Sequence, residues 1–144
     1  MNKILAFDLG SRTLGIAVSD SLGIAAHGLE NFRFPEGGYQ AAIAHALEII
    51  NREHISELVI GLALNMNGEE SKSSQASRIF KEELLKRNAN LKITMVDERL
   101  TTKLATQRLL EADLSREKRK KVIDMQSAVV ILETYMEMKK NAKI

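Results

Sequence analysis

The sequence contains no cysteine, which excludes disulfides, zinc ribbons and thiol catalysis at once. Tryptophan is absent as well, and aromatic residues make up 4% of the chain, so a binding surface dominated by ring stacking is not expected. No apolar run approaches the ~18 residues that a membrane span requires. The first residues also lack an apolar segment leading to a small-residue cleavage site, so a cytoplasmic protein is the expectation. Neither sign of charge dominates: 21 Lys and Arg against 19 Asp and Glu give +2, which neither requires nor forbids a polyanionic partner.

What is present suits a globular fold. The chain has 144 residues, 44% hydrophobic and 28% charged, enough for one domain over 1–144 with its own core. Lys3-Ile4-Leu5-Ala6-Phe7-Asp8-Leu9 is apolar on both alternating faces except at Asp8 and predicts a strand buried on both sides. Leu14 to Ser19 predicts a second strand and a stretch within Ile24 to Phe34 a third. The short turns between them imply antiparallel pairing. Pro35 with Gly37-Gly38 ends this block.

The pattern then alternates. Ile43, Leu47 and Ile50 predict a helix from Gly38 to about Glu53, and Glu57 to Leu62 a short buried strand. After a loop from Ala63 to Glu70, the residues Ala76, Ile79, Phe80 and Leu84 predict a second helix. Leu91 to Val96 predicts the fifth strand. Ala105, Leu109 and Ala112 mark a third helix, and Val122 to about Met138 a fourth. The order β-β-β-α-β-α-β-α-α implies an α/β fold with a mixed sheet, antiparallel at one edge and parallel where helices cross over.

Three acidic positions break this pattern. Asp8 shares its strand face with Ile4 and Ala6, where a carboxylate is costly unless compensated; a turn-capping Asp bonding Gly10 and Ser11 is the alternative. Asp97-Glu98 follows the fifth strand directly, at the carboxyl end where parallel-sheet enzymes gather their chemistry. Capping of the next helix by Asp97 or Thr101 competes with that reading, and the residues do not choose between Asp97 and Glu98. At about 100° per residue, Asp124 lines up with Ala128, Ile131 and Tyr135, opposite Gln126, Glu133 and Glu137, so it is predicted to face inward. A first-turn Asp favoured by the helix dipole explains the position but not that direction.

Carboxylates converging from two strand ends and one helix cannot all stay ionised without a counter-charge. Hard oxygen ligands without Cys or His suit Mg²⁺ or Mn²⁺, and a two-metal site of this kind hydrolyses phosphodiesters. Other motifs fail. Gly10 and Gly15 have P-loop spacing, but Ile16-Ala17 stand where Lys-Ser/Thr must be. His27, His45 and His54 match no metal spacing.

At these residues the sequence resembles a known family. Asp8 to Gly15, Gly61 to Gly68, Asp97 to Thr102 and Val122-Ile123-Asp124 are similar, in order and spacing, to the four signature blocks of the YqgF/RuvX family. Its members are described as Holliday-junction resolvases and as nucleases processing the 5′ end of pre-16S rRNA. The resemblance implies an RNase H-like fold related to RuvC, a five-stranded mixed sheet with helices on both faces. It implies a hydrolase with an acidic triad of Asp8, Glu98 and Asp124 holding Mg²⁺ or Mn²⁺, Asp8 bridging both ions. Where the family has proline this chain has Ala63, which predicts a freer loop after the fourth strand.

With that resemblance, Arg12 and Arg99 are expected to contact phosphates, or else to pair with their acidic neighbours. Lys118, Arg119, Lys120 and Lys121 read as a phosphate track whose binding weakens steeply with salt, or otherwise as a solvated helix start. Asn65 and Asn67 are expected at sugar or phosphate, although Asn-Gly is also turn chemistry. The expected partner is structured RNA such as pre-16S rRNA, or branched DNA, bound by a monomer or homodimer. Two rivals stand beside this reading. An ATP-binding protein of the actin/sugar-kinase type would need a second such domain, and a non-catalytic RNA-binding assembly factor would keep the acids without cleaving.

Overall fold

Strand β1, Ile4–Leu9, is the centre of the sheet. Its partners are β2, Thr13–Ser19, and β4, Glu57–Leu62; β3, Ala26–Arg33, and β5, Lys92–Asp97, form the edges. The order is β3-β2-β1-β4-β5, with β1, β4 and β5 parallel and the β1–β2 and β2–β3 pairs antiparallel. Helix α1 spans Tyr39–Arg52, α2 spans Lys72–Arg87 and α3 spans Arg116–Ala142, and a 3₁₀ turn covers Glu98–Leu100. The computed structural model describes residues 3–100 and 116–142, the side chains of 100 and 116–125 excepted.

Alternation along β1 sorts its side chains into two layers. Leu5, Phe7 and Leu9 pack with Ile43, Ala46 and Ile49 of α1 and with Phe80 and Leu84 of α2. Ile4 and Ala6 point the other way, into a core with Ala128, Ile131, Leu132 and Tyr135 of α3. Helices therefore cover both faces, as expected, and Asp8 belongs to the face under α3. At the β3 edge, His45 of α1 stacks on Phe32 at 3.9 Å between ring centroids and reaches Glu30 at 2.6 Å.

Local chemistry sets the helix boundaries. Gly38 precedes α1, and Ser71 caps α2 by accepting from the Ser74 amide at 3.0 Å, while Ser74 Oγ accepts from the Ser71 amide at 2.7 Å. This is a capping box with serine in the position of the usual Glu or Gln. Two expectations are corrected. Helix α3 starts at Arg116 rather than Val122, because Lys, Arg and Glu sustain a helix without any apolar marker. Asp124 is consequently well inside the helix, not in its first turn, and the dipole explanation of its position falls away. Ile79, expected on the buried side of α2, is 59% exposed. Ser77 joins the expected Phe80 and Leu84 on that face, and Ile79 borders a groove with Tyr39, Ile43 and Ala76. The helix expected around Ala105, Leu109 and Ala112 lies outside the described residues. Among the described residues, no helix is long and apolar enough to cross a membrane.

A polar latch ties the far end of α3 to the start of β4. The Tyr135 hydroxyl donates to Glu57, and Lys139 Nζ lies 2.9 Å from both Glu57 oxygens. Burial pushes the Glu57 carboxyl up, but hydrogen bonds from Tyr135 and Lys139, then the charges of Lys139 and Lys92, outweigh it and hold it below its ordinary value. A depressed carboxyl stabilises the fold above its unfolded pKa, and that contribution is lost as pH falls through the folded value. Glu57→Gln is expected to cost about 1–2 kcal/mol at neutral pH, the scale of a hydrogen bond to a charged group. The difference from the parent should shrink below about pH 4, where an ordinary Glu is protonated. Urea melts of both proteins across that range check the sign.

Candidate active site

Asp8 lies near the carboxyl end of β1, half-buried, on the face that α3 covers. Directly across on β2 is Gly15, which leaves the carboxylate open on that side. The Gly10 N–H, one of the two amides a turn-capping Asp8 would take, donates to the Thr13 carbonyl at 2.8 Å. The row continues from Gly15 to Asn31 on β3. Asn31 thus shares the face of Asp8, and its Oδ1 is buried with no hydrogen-bond partner among the described residues.

At the end of β5 the two neighbouring acids part company. Asp97 accepts from the Arg99 amide at 3.0 Å and from the Arg99 guanidinium at 2.6 to 3.1 Å. Those guanidinium bonds hold its carboxyl below the usual range. Asp97 thus caps the 3₁₀ turn. Glu98 turns the opposite way, over Gly61 of β4, and is hydrogen-bonded to Asp8. Burial first, then the charge and hydrogen bond of Asp8 and the charge of Asp97, push the Glu98 carboxyl up to about 9. At neutral pH Glu98 therefore holds a proton and donates it to Asp8.

Two carboxyl groups that must share a proton form a site short of positive charge. A hard divalent cation suits such oxygens, since it replaces the proton and lets both groups ionise. Ile131 of α3 reaches the same spot, its Cδ1 beside the Glu98 carboxyl above Gly61. Asp124 lies on α3 two turns before Ile131. Its side chain is outside the described residues, as are those of Lys118, Arg119, Lys120 and Lys121. Among the described residues, no three His, Asp or Glu side chains form a metal-binding group.

The other expected contacts are engaged within the protein. Arg12 pairs with Glu36 at 3.0 Å, both side chains exposed, rather than with Asp8. Arg99 pairs with Asp97 and also donates from Nη1 to the Met66 carbonyl at 3.1 Å. Asn65 Nδ2 donates to the Glu70 carbonyl at 3.3 Å, and Asn67 Oδ1 accepts from the Glu69 amide at 3.0 Å. Both asparagines thus serve the turn, closed at Gly68 by a bond of its N–H to the Asn65 carbonyl at 2.8 Å. In the loop after β4, Ser71 Oγ donates to the Ala63 carbonyl at 2.5 Å. Gly61 has no side chain to mark it as part of the site; its signal in the sequence is a lone glycine in an otherwise apolar buried strand, which marks a close approach.

A mixed sheet in this order, helices on both faces and paired carboxyls at its parallel end define an RNase H-like fold. Solved structures of that class superpose on the chain. Thermus thermophilus RuvC in complex with a Holliday junction substrate matches with a TM-score of 0.60 and 14% identity, over 97% of this chain and 96% of that one. The fowlpox virus Holliday junction resolvase matches with a TM-score of 0.60 and 15% identity, over 95% and 99%. The likeness at these identities is one of fold. The chain belongs to the RuvX family, described as Holliday junction resolvase, whose sequence model matches residues 2–138. A Staphylococcus aureus (strain JH9) protein provisionally named a pre-16S rRNA nuclease is 45% identical over 136 residues, 94% of this chain and 96% of the relative.

Proposed function

We propose that this chain is a metal-dependent endonuclease of the cytoplasm that hydrolyses phosphodiester bonds in the 5′-end processing of pre-16S rRNA. The observation that carries the reading is the hydrogen bond between the Glu98 and Asp8 carboxyl groups, two acids brought together from the ends of β5 and β1. Asp8, Glu98 and Asp124 would hold Mg²⁺ or Mn²⁺. A bound ion of that kind supplies a water activated for attack and stabilises the leaving oxygen. The protein's own part is placement. Arg99, bonded to Asp97 and the Met66 carbonyl, holds the 65–68 loop against the end of β5. Arg12, Asn65, Asn67 and Arg99, with Lys118, Arg119, Lys120 and Lys121 on α3, would then meet substrate phosphates and sugars.

Precursor rRNA is preferred as substrate because the 45% identical relative carries that name, whereas the junction-bound structures share the fold at 14–15% identity. The RuvX description favours a second reading, resolution of branched DNA. A four-way junction needs two symmetric cuts, so that activity would come with a homodimer, while rRNA trimming is open to a monomer. Purified protein should be offered a structured 16S precursor and a four-way DNA junction, each with Mg²⁺, Mn²⁺ or chelator. Divalent-dependent cutting of the precursor, with binding that falls steeply as salt rises, is the expected result. Junction cleavage alone would transfer the assignment to DNA, and tight binding without cleavage under any divalent ion would make the chain an assembly factor.

A further inference from the structure

We propose that Gly61 is a positioning residue for the acid pair: the missing side chain at this point of β4 is what lets the Glu98 carboxyl lie beside Asp8. The inference rests on the metal-dependent reading above for its functional consequence, but its geometric part stands alone.

Glycine is a costly choice here. It weakens a strand interior by roughly 0.5–1 kcal/mol relative to alanine, and every other position from Leu58 to Leu62 carries a buried side chain. Backbone conformation does not demand it either. The described glycines with positive φ are Gly23, Gly37 and Gly68, whereas Gly61 continues the parallel ladder opposite Val96. Space is the remaining requirement. A Cβ at Gly61 would lie 2.5 Å from Ile131 Cδ1, 2.9 Å from Glu98 Cδ and 3.0 Å from Glu98 Cγ.

Strand order explains the crowding. Asp8 belongs to β1 and Glu98 follows β5, and β4 runs between them. Neighbouring strands are about 4.8 Å apart, so the two acids start about 10 Å from each other. To bond Asp8, the long Glu98 side chain must lie flat across β4, and bare backbone at Gly61 is its path. Ile131 can give way by turning its terminal methyl. Glu98 cannot give way without moving away from Asp8.

The test uses the full-length chain carrying Ile131→Val alone or Gly61→Ala with Ile131→Val, the valine removing the methyl that would otherwise clash in the core. Three quantities are read: thermal midpoint, Mn²⁺ affinity by calorimetry, and the nuclear Overhauser contact between Asp8 Hβ and Glu98 Hγ in metal-free protein. The double variant should melt within a few degrees of Ile131→Val. It should lose the Asp8–Glu98 contact and bind Mn²⁺ about 10- to 100-fold more weakly, the range for losing support of a metal ligand. Retention of that contact, or Mn²⁺ affinity equal to Ile131→Val, would overturn the proposal. So would failure of the double variant to fold, since Gly61 would then serve the core rather than Glu98. If the parent protein itself binds no Mn²⁺, the metal reading fails, while the Overhauser contact still decides the role of Gly61.

Discussion

Asp8→Asn is expected to abolish divalent-dependent cleavage while leaving the fold and nucleic-acid binding in place. The substitution keeps the shape of the side chain and removes one charge from the site proposed to hold divalent cations. Loss of a single group that stabilises transition-state charge typically costs on the order of 10²–10³ in rate, and loss of a proposed metal ligand should cost at least that much. Thermal stability should move the opposite way. In metal-free protein the Asp8 charge helps drive the Glu98 carboxyl upward, so removing that charge lessens the cost of keeping Glu98 protonated at neutral pH. A melting temperature equal to or slightly above that of the parent, together with lost cleavage, is the signature of a residue kept for chemistry. Cleavage at the parental rate would remove Asp8 from the mechanism.

Phe80→Ala should have the largest effect on stability. Phe80 is 1% exposed and meets Phe7 edge-on, with centroids 5.6 Å apart and planes at 85°. Such a deletion removes the buried area, the ring–ring contact and the packing around the cavity left behind, in all about 3–5 kcal/mol. For a chain of this size that lowers the melting temperature by roughly 10 °C. The acid pair lies on the other face of the sheet, so cleavage per folded molecule should be preserved well below the new midpoint. A shift under ~2 °C in a thermal melt would contradict the packing of α2 on β1 described above.

The sequence made the strands legible because burial on both faces leaves a short unbroken apolar run. Glu57 to Leu62 is read and observed with the same ends. The misfit of Asp8 was legible for the same reason, since one carboxylate in such a run stands out. The choice between Asp97 and Glu98 was not. Alternation separates their directions without saying which direction leads to the site; the Arg99 guanidinium on Asp97 and the open path over Gly61 agree with the choice of Glu98 that the family resemblance implies. Helix α3 was read too short because a run of cations carries no hydrophobic period, although it forms helix readily. Ile79 misled because apolar spacing cannot tell the centre of a buried face from its rim. The partners of Arg12, Asn65 and Asn67 are made by loop folding, which leaves no periodic trace.

The latch between α3 and β4 and the acid pair sit at opposite ends of the sheet, but the pair has a property of its own. Its two members come from β1 and from the turn after β5, and they meet only across β4. A nascent polypeptide that has not yet released β5 from the ribosome, or a fragment ended before it, therefore holds half of the proposed centre. Completion of the tertiary structure arms this nuclease, so immature copies should be harmless to the nucleic acid around them.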